Sequence, residues 1–268
     1  MEFLLIILSL VLGASFGSFL NVVIHRLPLK QSIVFPASHC PECGNNIRPY
    51  DNIPILSYFI LQGKCRHCRT DISIRYLFVE FLTAVCFLVL LILNDYVLDF
   101  TLLRNIIFFT TGIAIIFIDF KHYIIPDVIS LPLIALGIGF SFITTEPGWQ
   151  SSLVAASAGF GIFFLIAWLY IKLKNQVGLG GGDVKYMAAI GAFVGISGAL
   201  FVLFFSSVIA LGSYLISTYI GGNKEALSSD TEPKILPYGP FLALATFFYI
   251  LFGDKVIGSY LGLFTSVL

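Results

Sequence analysis

The chain has 268 residues, of which 58% are hydrophobic and 11% charged, with 15 Lys and Arg matching 15 Asp and Glu. Soluble domains carry roughly a quarter charged residues, so an ordinary soluble fold is excluded. The net charge of zero gives no argument for a polyanionic partner, and no nucleic acid is expected.

Apolar residues fall in blocks of about 18 or more, long enough to cross ~30 Å of hydrocarbon at ~1.5 Å per residue. The first block runs to Ile24, lacks the basic head of a secretory signal, and is followed by Arg26 and Lys30. Residues 1–24 are therefore expected to form an uncleaved first span with its N-terminus outside. Gly13 and Gly17 give it a small-xxx-small face, read as plain helix packing. Residues 25–75 are the one substantial polar segment and hold seven of the 15 Lys and Arg, which assigns them to the cytoplasm.

Residues 76–268 return to apolar blocks. Spans are expected over 76–93, 100–118, 127–143 and 151–171. The loops at Asn94-Asp95-Tyr96 and 144–150 carry no Lys or Arg and belong outside; Lys121, Lys172, Lys174 and Lys185 belong inside. Arg104, near the outer end of its span, breaks this trend and is expected to snorkel to the interface. Residues 186–220 are too many for one span and few for two. Basic residues on both sides, Lys185 and those within 224–234, require an even number of crossings. Two short or tilted helices broken near Gly195-Ile196-Ser197-Gly198 satisfy this. A last stretch over 239–266, interrupted at Gly253-Asp254-Lys255, completes about eight transmembrane segments of an all-α polytopic membrane protein with an exterior C-terminus.

Within the polar segment, Cys40-x-x-Cys43 and Cys65-x-x-Cys68 are separated by 21 residues. Disulfides are disfavoured in the cytoplasm, and two knuckles of this kind close a thiolate tetrahedron around a metal, most simply zinc. Local disulfides or a redox dithiol fit the spacing less well. His39 and His67 flank the ligands and read as supporting or solvated groups, and Cys86, inside an apolar span, as a small core residue. A shell of four thiolates has no open position for water, so this metal would fold the segment and leave catalysis elsewhere.

Ionisable groups at membrane depth are functional suspects. Asp119 closes the span over 100–118, and Asp183 opens the span from 186 directly after Gly178-Leu179-Gly180-Gly181-Gly182, so the topology sets both at the inner face. Each has a bland alternative: Asp119 as a solvated helix-end charge, Asp183 as a helix N-cap. Asp127, just after Pro126, reads as a capping acid. The glycine run lacks the phosphate-loop spacing. Two carboxyls in one hydrated pocket match what peptide hydrolysis requires. Repulsion splits their proton affinities, so the ionised one takes a proton from water while the protonated one polarises the carbonyl and supplies the leaving amine.

Several motifs in order along the chain carry a resemblance. They are Gly17-Ser18-Phe19-Leu20-Asn21-Val22-Val23-Ile24-His25-Arg26-Leu27-Pro28, the two cysteine knuckles, Asp51-Asn52-Ile53-Pro54-Ile55-Leu56-Ser57, and Ile74-Arg75-Tyr76 with Glu80. Asp119 with Ile125-Pro126-Asp127, Gly180-Gly181-Gly182-Asp183-Val184-Lys185 and Pro237-Tyr238-Gly239-Pro240-Phe241-Leu242 follow. The chain resembles the bacterial type IV prepilin peptidases, a group of GxGD intramembrane aspartyl proteases. The resemblance implies a catalytic pair of Asp119 and Asp183, a non-essential Asp127, and a zinc-binding cytoplasmic domain, residues 25–75, built on Cys40, Cys43, Cys65 and Cys68. It implies a transmembrane peptidase core over 76–268 in the bacterial cytoplasmic membrane, with an active site facing the cytoplasm. It also implies two reactions on prepilin or pseudopilin precursors. The short basic leader is cut after a glycine, and S-adenosylmethionine then methylates the new N-terminal residue, often phenylalanine. A transporter would explain the two acids but neither the cysteines nor the order of motifs; a non-enzymatic assembly scaffold would tolerate loss of both acids.

Overall fold

A computed structural model of the chain describes residues 1–176, 178–220 and 237–265, with residues 220 and 254–265 described by backbone alone. The described residues form eight α-helices and a short 3-10 turn at Pro49–Asn52. The helices are α1 (Glu2–Arg26), α2 (Leu56–Ile60), α3 (Ile74–Leu93), α4 (Phe100–His122), α5 (Asp127–Ser141), α6 (Trp149–Lys174), α7 (Gly181–Ile220) and α8 (Gly239–Thr265). Five of them are long and apolar enough to cross a membrane, and α5 and the first part of α8 are shorter apolar helices. The protein is an all-helical, multi-pass membrane protein, the class in which backbone groups at membrane depth are satisfied within the protein, mostly along each helix. The only pairing of extended backbone among the described residues is two isolated bridges, His39 with Asn46 and Lys64 with Asp71.

The chain divides into two compact units, Met1–Ile118 and Asp119–Leu268. In the first, α1 packs along α3 at a distance only glycine permits. A β-carbon on Gly17 would stand 2.6 Å from the Glu80 Cα, and one on Gly13 2.7 Å from the Ala84 Cα. The Asn21 side chain ties the pair by donating to the Tyr76 carbonyl at 3.0 Å. The small-residue face of the first span is thus spent on packing.

In the second unit α7 is the central element, with α5, α6 and α8 against it. Its 40 residues are two helices joined at Gly195, whose φ of 68° and ψ of −168° belong to a region open to glycine alone. The freed N–H of Ile196 is taken by the Ser151 hydroxyl at 3.0 Å. That answers the excess length of the 186–220 block, and with the two halves of α7 counted separately the described residues hold eight apolar segments. The basic residues of 224–234 that argued for this topology lie outside the described residues.

The backbone of α8 runs unbroken through Gly253-Asp254-Lys255, in keeping with the single segment counted there. One expectation is corrected. Arg104 does not snorkel: it is buried, its Nε donates to Asn105 Oδ1 at 3.2 Å, and Asp99 at the head of the same helix is a charge partner. A nearby acid and amide replace the water that snorkelling would have reached.

Candidate functional site

Asp119 lies in the last turn of α4, which ends as the Tyr123 N–H donates to the Asp119 carbonyl at 2.9 Å. Tyr123 is left-handed at φ 56°, so the chain turns sharply and Ile125 folds back before α5 begins. The Asp119 side chain is only 4% exposed, which removes the reading of a solvated helix-end charge. Its Oδ2 accepts the backbone N–H of Gly239, at the head of α8, at 3.0 Å.

Asp183 stands in the first turn of α7, which starts two residues earlier, at Gly181. The alternative reading of Asp183 as the helix N-cap is therefore removed. Its side chain turns back over the glycine run: a β-carbon on Gly180 would meet Asp183 Oδ2 at 3.1 Å. Its other oxygen, Oδ1, is buried and has no hydrogen-bond partner among the described residues.

Ile125 links the two acids. A β-carbon on Gly182 would lie 2.9 Å from the Ile125 Cβ, and one on Gly239 would lie 2.9 Å from Ile125 Cδ1 and 2.7 Å from Asp119 Oδ2. Asp119, Gly239, Ile125, Gly182 and Asp183 thus form one continuous set of contacts, and Asp119 is a Coulombic neighbour of Asp183. A β-carbon at either glycine would force a neighbour to shift: the Ile125 Cβ at Gly182, and the ends of the Asp119 and Ile125 side chains at Gly239. The segment leading into α8 is tethered as well, since the Tyr238 hydroxyl lies 2.8 Å from Ser206 Oγ and 3.1 Å from Ser207 Oγ on α7.

Asp127 lies in the first turn of α5 directly after the N-cap Pro126, as its sequence suggested. In addition both its oxygens accept from Lys185 Nζ at 2.7 Å. Capping was a reading of local sequence, whereas the partner lies 58 residues away on α7. Sequence reasoning also missed the Gly239 amide, although the surrounding Pro-Tyr-Gly-Pro run was noted, because a backbone donor leaves no side-chain signature.

A second cluster lies in the first unit. The ligand atoms of Cys40, Cys43, Cys65 and Cys68 are within 4.8 Å of one another. Each pair sits on the same turn. The Gly44 N–H donates to the Cys40 carbonyl at 2.9 Å, the Arg69 N–H to the Cys65 carbonyl at 3.1 Å, and Gly44 and Arg69 are both left-handed. Cys40 Sγ and Cys68 Sγ are 3.7 Å apart. Four thiolates at ~2.3 Å from zinc have tetrahedral edges of roughly 3.8 Å, so the group fits a metal of that size. The Thr70 hydroxyl, 3.3 Å from Cys68 Sγ, together with the Thr70 backbone, brings that thiol down to about 6. Arg66, between the second pair of cysteines, forks onto Asp51 and holds its carboxyl below the usual range. His39 and His67 are not part of the four-sulfur group.

Comparison with known proteins gives two family matches. Residues 11–93 match the bacterial peptidase A24 N-terminal domain, and residues 106–215 match the type IV leader peptidase family. Among curated proteins, the prepilin leader peptidase/N-methyltransferase of Neisseria gonorrhoeae is 34% identical over 273 residues, covering 93% of this chain and 91% of the relative. The protein of that name from Pseudomonas aeruginosa is 32% identical, covering 96% and 93%, and that from Aeromonas hydrophila 31%, covering 91% and 90%. No solved structure matches the chain. Because relatives above 30% identity align with more than nine-tenths of it, the chain belongs to the type IV leader peptidase family.

Proposed function

We propose that this protein cleaves the leader from type IV prepilins or pseudopilins with Asp119 and Asp183 as its catalytic pair, and then N-methylates the exposed residue. The observation that carries the first half is the set of contacts joining the two acids through Gly239, Ile125 and Gly182. Such a pair shares its protons: one carboxylate draws a proton from water as the water attacks, and the other, protonated, polarises the scissile carbonyl and then protonates the leaving amine. The pair titrates as a unit, so neither residue is assigned the base. The Gly239 N–H fixes the orientation of the Asp119 carboxyl, and the unpartnered Oδ1 of Asp183 offers an acceptor to water or substrate.

A pilin precursor has a polar leader on one side of the membrane and an apolar helix within it, so its scissile bond sits at the depth of acids placed at helix ends. The charge pattern supports an active site facing the cytoplasm and an N-terminus outside, in the bacterial cytoplasmic membrane. Cys40, Cys43, Cys65 and Cys68 would hold a structural zinc ion, whose bonding to thiolates supplies folding energy to a segment with little core of its own. S-adenosylmethionine would be the methyl donor.

Mass spectrometry of a pilin-type precursor after incubation with the purified protein tests both reactions. The reading expects loss of the leader, and a further gain of one methyl group when donor is present. An intact precursor under both conditions would refute it.

A further inference from the structure

The first unit contains a cleft of about 400 Å³ that the peptide-cleaving machinery does not use. One wall is a stripe of α1 carrying Ser15, Phe19 and Arg26, and the loops opposite contribute Ser38 and Asn52. Its volume falls within the ~300–1,000 Å³ of small-molecule sites.

Arg26 is the informative residue. It is 8% exposed, yet its guanidinium donates to the Ser32 carbonyl at 3.1 Å, and no acid stands within ion-pair distance among the described residues. A guanidinium cannot shed its charge, and one withdrawn from water normally has a carboxylate or phosphate against it. Around it the cleft offers hydroxyls, an amide and an aromatic face, and no acidic side chain lines it.

We propose that this cleft binds S-adenosylmethionine, with the donor's carboxylate on Arg26. The hydroxyl and amide groups of Ser15, Ser38 and Asn52 suit its polar edges. The ring of Phe19, on the same stripe, suits adenine by stacking or the sulfonium by a cation–π contact. The inference rests on the methyl-transfer reading above. In that reaction the substrate's new terminal amine attacks the methyl carbon. The N–C bond forms as the S–C bond breaks, the electron pair stays on sulfur to give a thioether, and the amine's proton passes to water.

The test has two arms on the full-length protein in detergent. Ultraviolet cross-linking of labelled S-adenosylmethionine to the unaltered protein, followed by peptide mapping, is expected to mark residues within 15–54. Calorimetry is expected to show Arg26→Gln weakening binding roughly tenfold to hundredfold, with Arg26→Lys intermediate. Because Arg26 also braces its loop, helix content and metal content are compared for each variant, and the cross-link on the unaltered protein does not depend on them. A label confined to residues beyond 118, on a protein that still methylates its substrate, overturns the inference and leaves the methyl-transfer reading standing. Absence of both donor binding and methyl transfer overturns the two together.

Discussion

The carboxyl of Asp119 accepts the backbone N–H of Gly239 at 3.0 Å, joining the end of α4 to the head of α8 across 120 positions of sequence. This bond orients the Asp119 carboxyl without using a side chain on α8, and a β-carbon at residue 239 would crowd the accepting oxygen. The substitution Gly239→Ala would place a carbon 2.7 Å from Asp119 Oδ2. Something must move, and a shift of about 1 Å at a reacting group can cost a hundredfold in rate. We predict a fall in leader cleavage of about that size with helix content and expression unchanged, read from initial rates on a purified precursor.

Asp127 leads to the opposite expectation. It is an acid at a helix start near the site, but both its oxygens are engaged by Lys185 and the pair is solvent-exposed. Exposed pairs contribute about 1 kcal/mol or less. Asp127→Asn is predicted to leave cleavage near the unaltered rate and the thermal midpoint nearly unchanged. A loss as deep as that from either proposed catalytic acid would give Asp127 a direct part in the chemistry.

The four-cysteine group is expected to behave as one structural unit. With Cys40 and Cys65 both replaced by Ser, each knuckle keeps one sulfur and a tetrahedral shell cannot close. Elemental analysis should find about one zinc per chain in the unaltered protein and none in the variant. Proteases should then cut within residues 36–72 of the variant, where the unaltered protein resists. Retention of zinc by the variant would count against the four-thiolate site.

Gly195 is where two helices become one continuous element. Any other residue there would adopt a backbone region that costs about 1–3 kcal/mol, and its β-carbon would stand 2.6 Å from Ser151 Oγ and 2.7 Å from Pro147 Cβ. Gly195→Ala should lower the thermal midpoint of the detergent-solubilised protein by several degrees. An unchanged midpoint would argue that α7 can pass this point without the break.

The sequence made some of these features legible and concealed others for physical reasons. The metal group could be read because its information is carried by side chains at fixed spacing on local turns. The break at Gly195 was signalled by a block too long for one span, flanked by basic residues. The two acids were marked by the cost of placing charge at membrane depth. That Asp119 is buried against Gly239, that Asp183 lies within the helix rather than capping it, and that Asp127 pairs with Lys185 are all tertiary facts. Local pattern left solvation or capping open beside a functional role for Asp119 and Asp183, and showed nothing of the Lys185 partner of Asp127. Arg104 was misread because charge bias along the chain reports the side of a loop and says nothing of partners such as Asn105.

The central claim is that Asp119 and Asp183 carry the cleavage together, and it is tested most directly by purifying Asp119→Asn and Asp183→Asn and following a pilin-type precursor with each. Both substitutions keep the shape of the side chain and a carbonyl oxygen able to accept a hydrogen bond, so the fold and zinc content should survive. The account predicts no detectable loss of leader from either variant; normal processing by either one would contradict it.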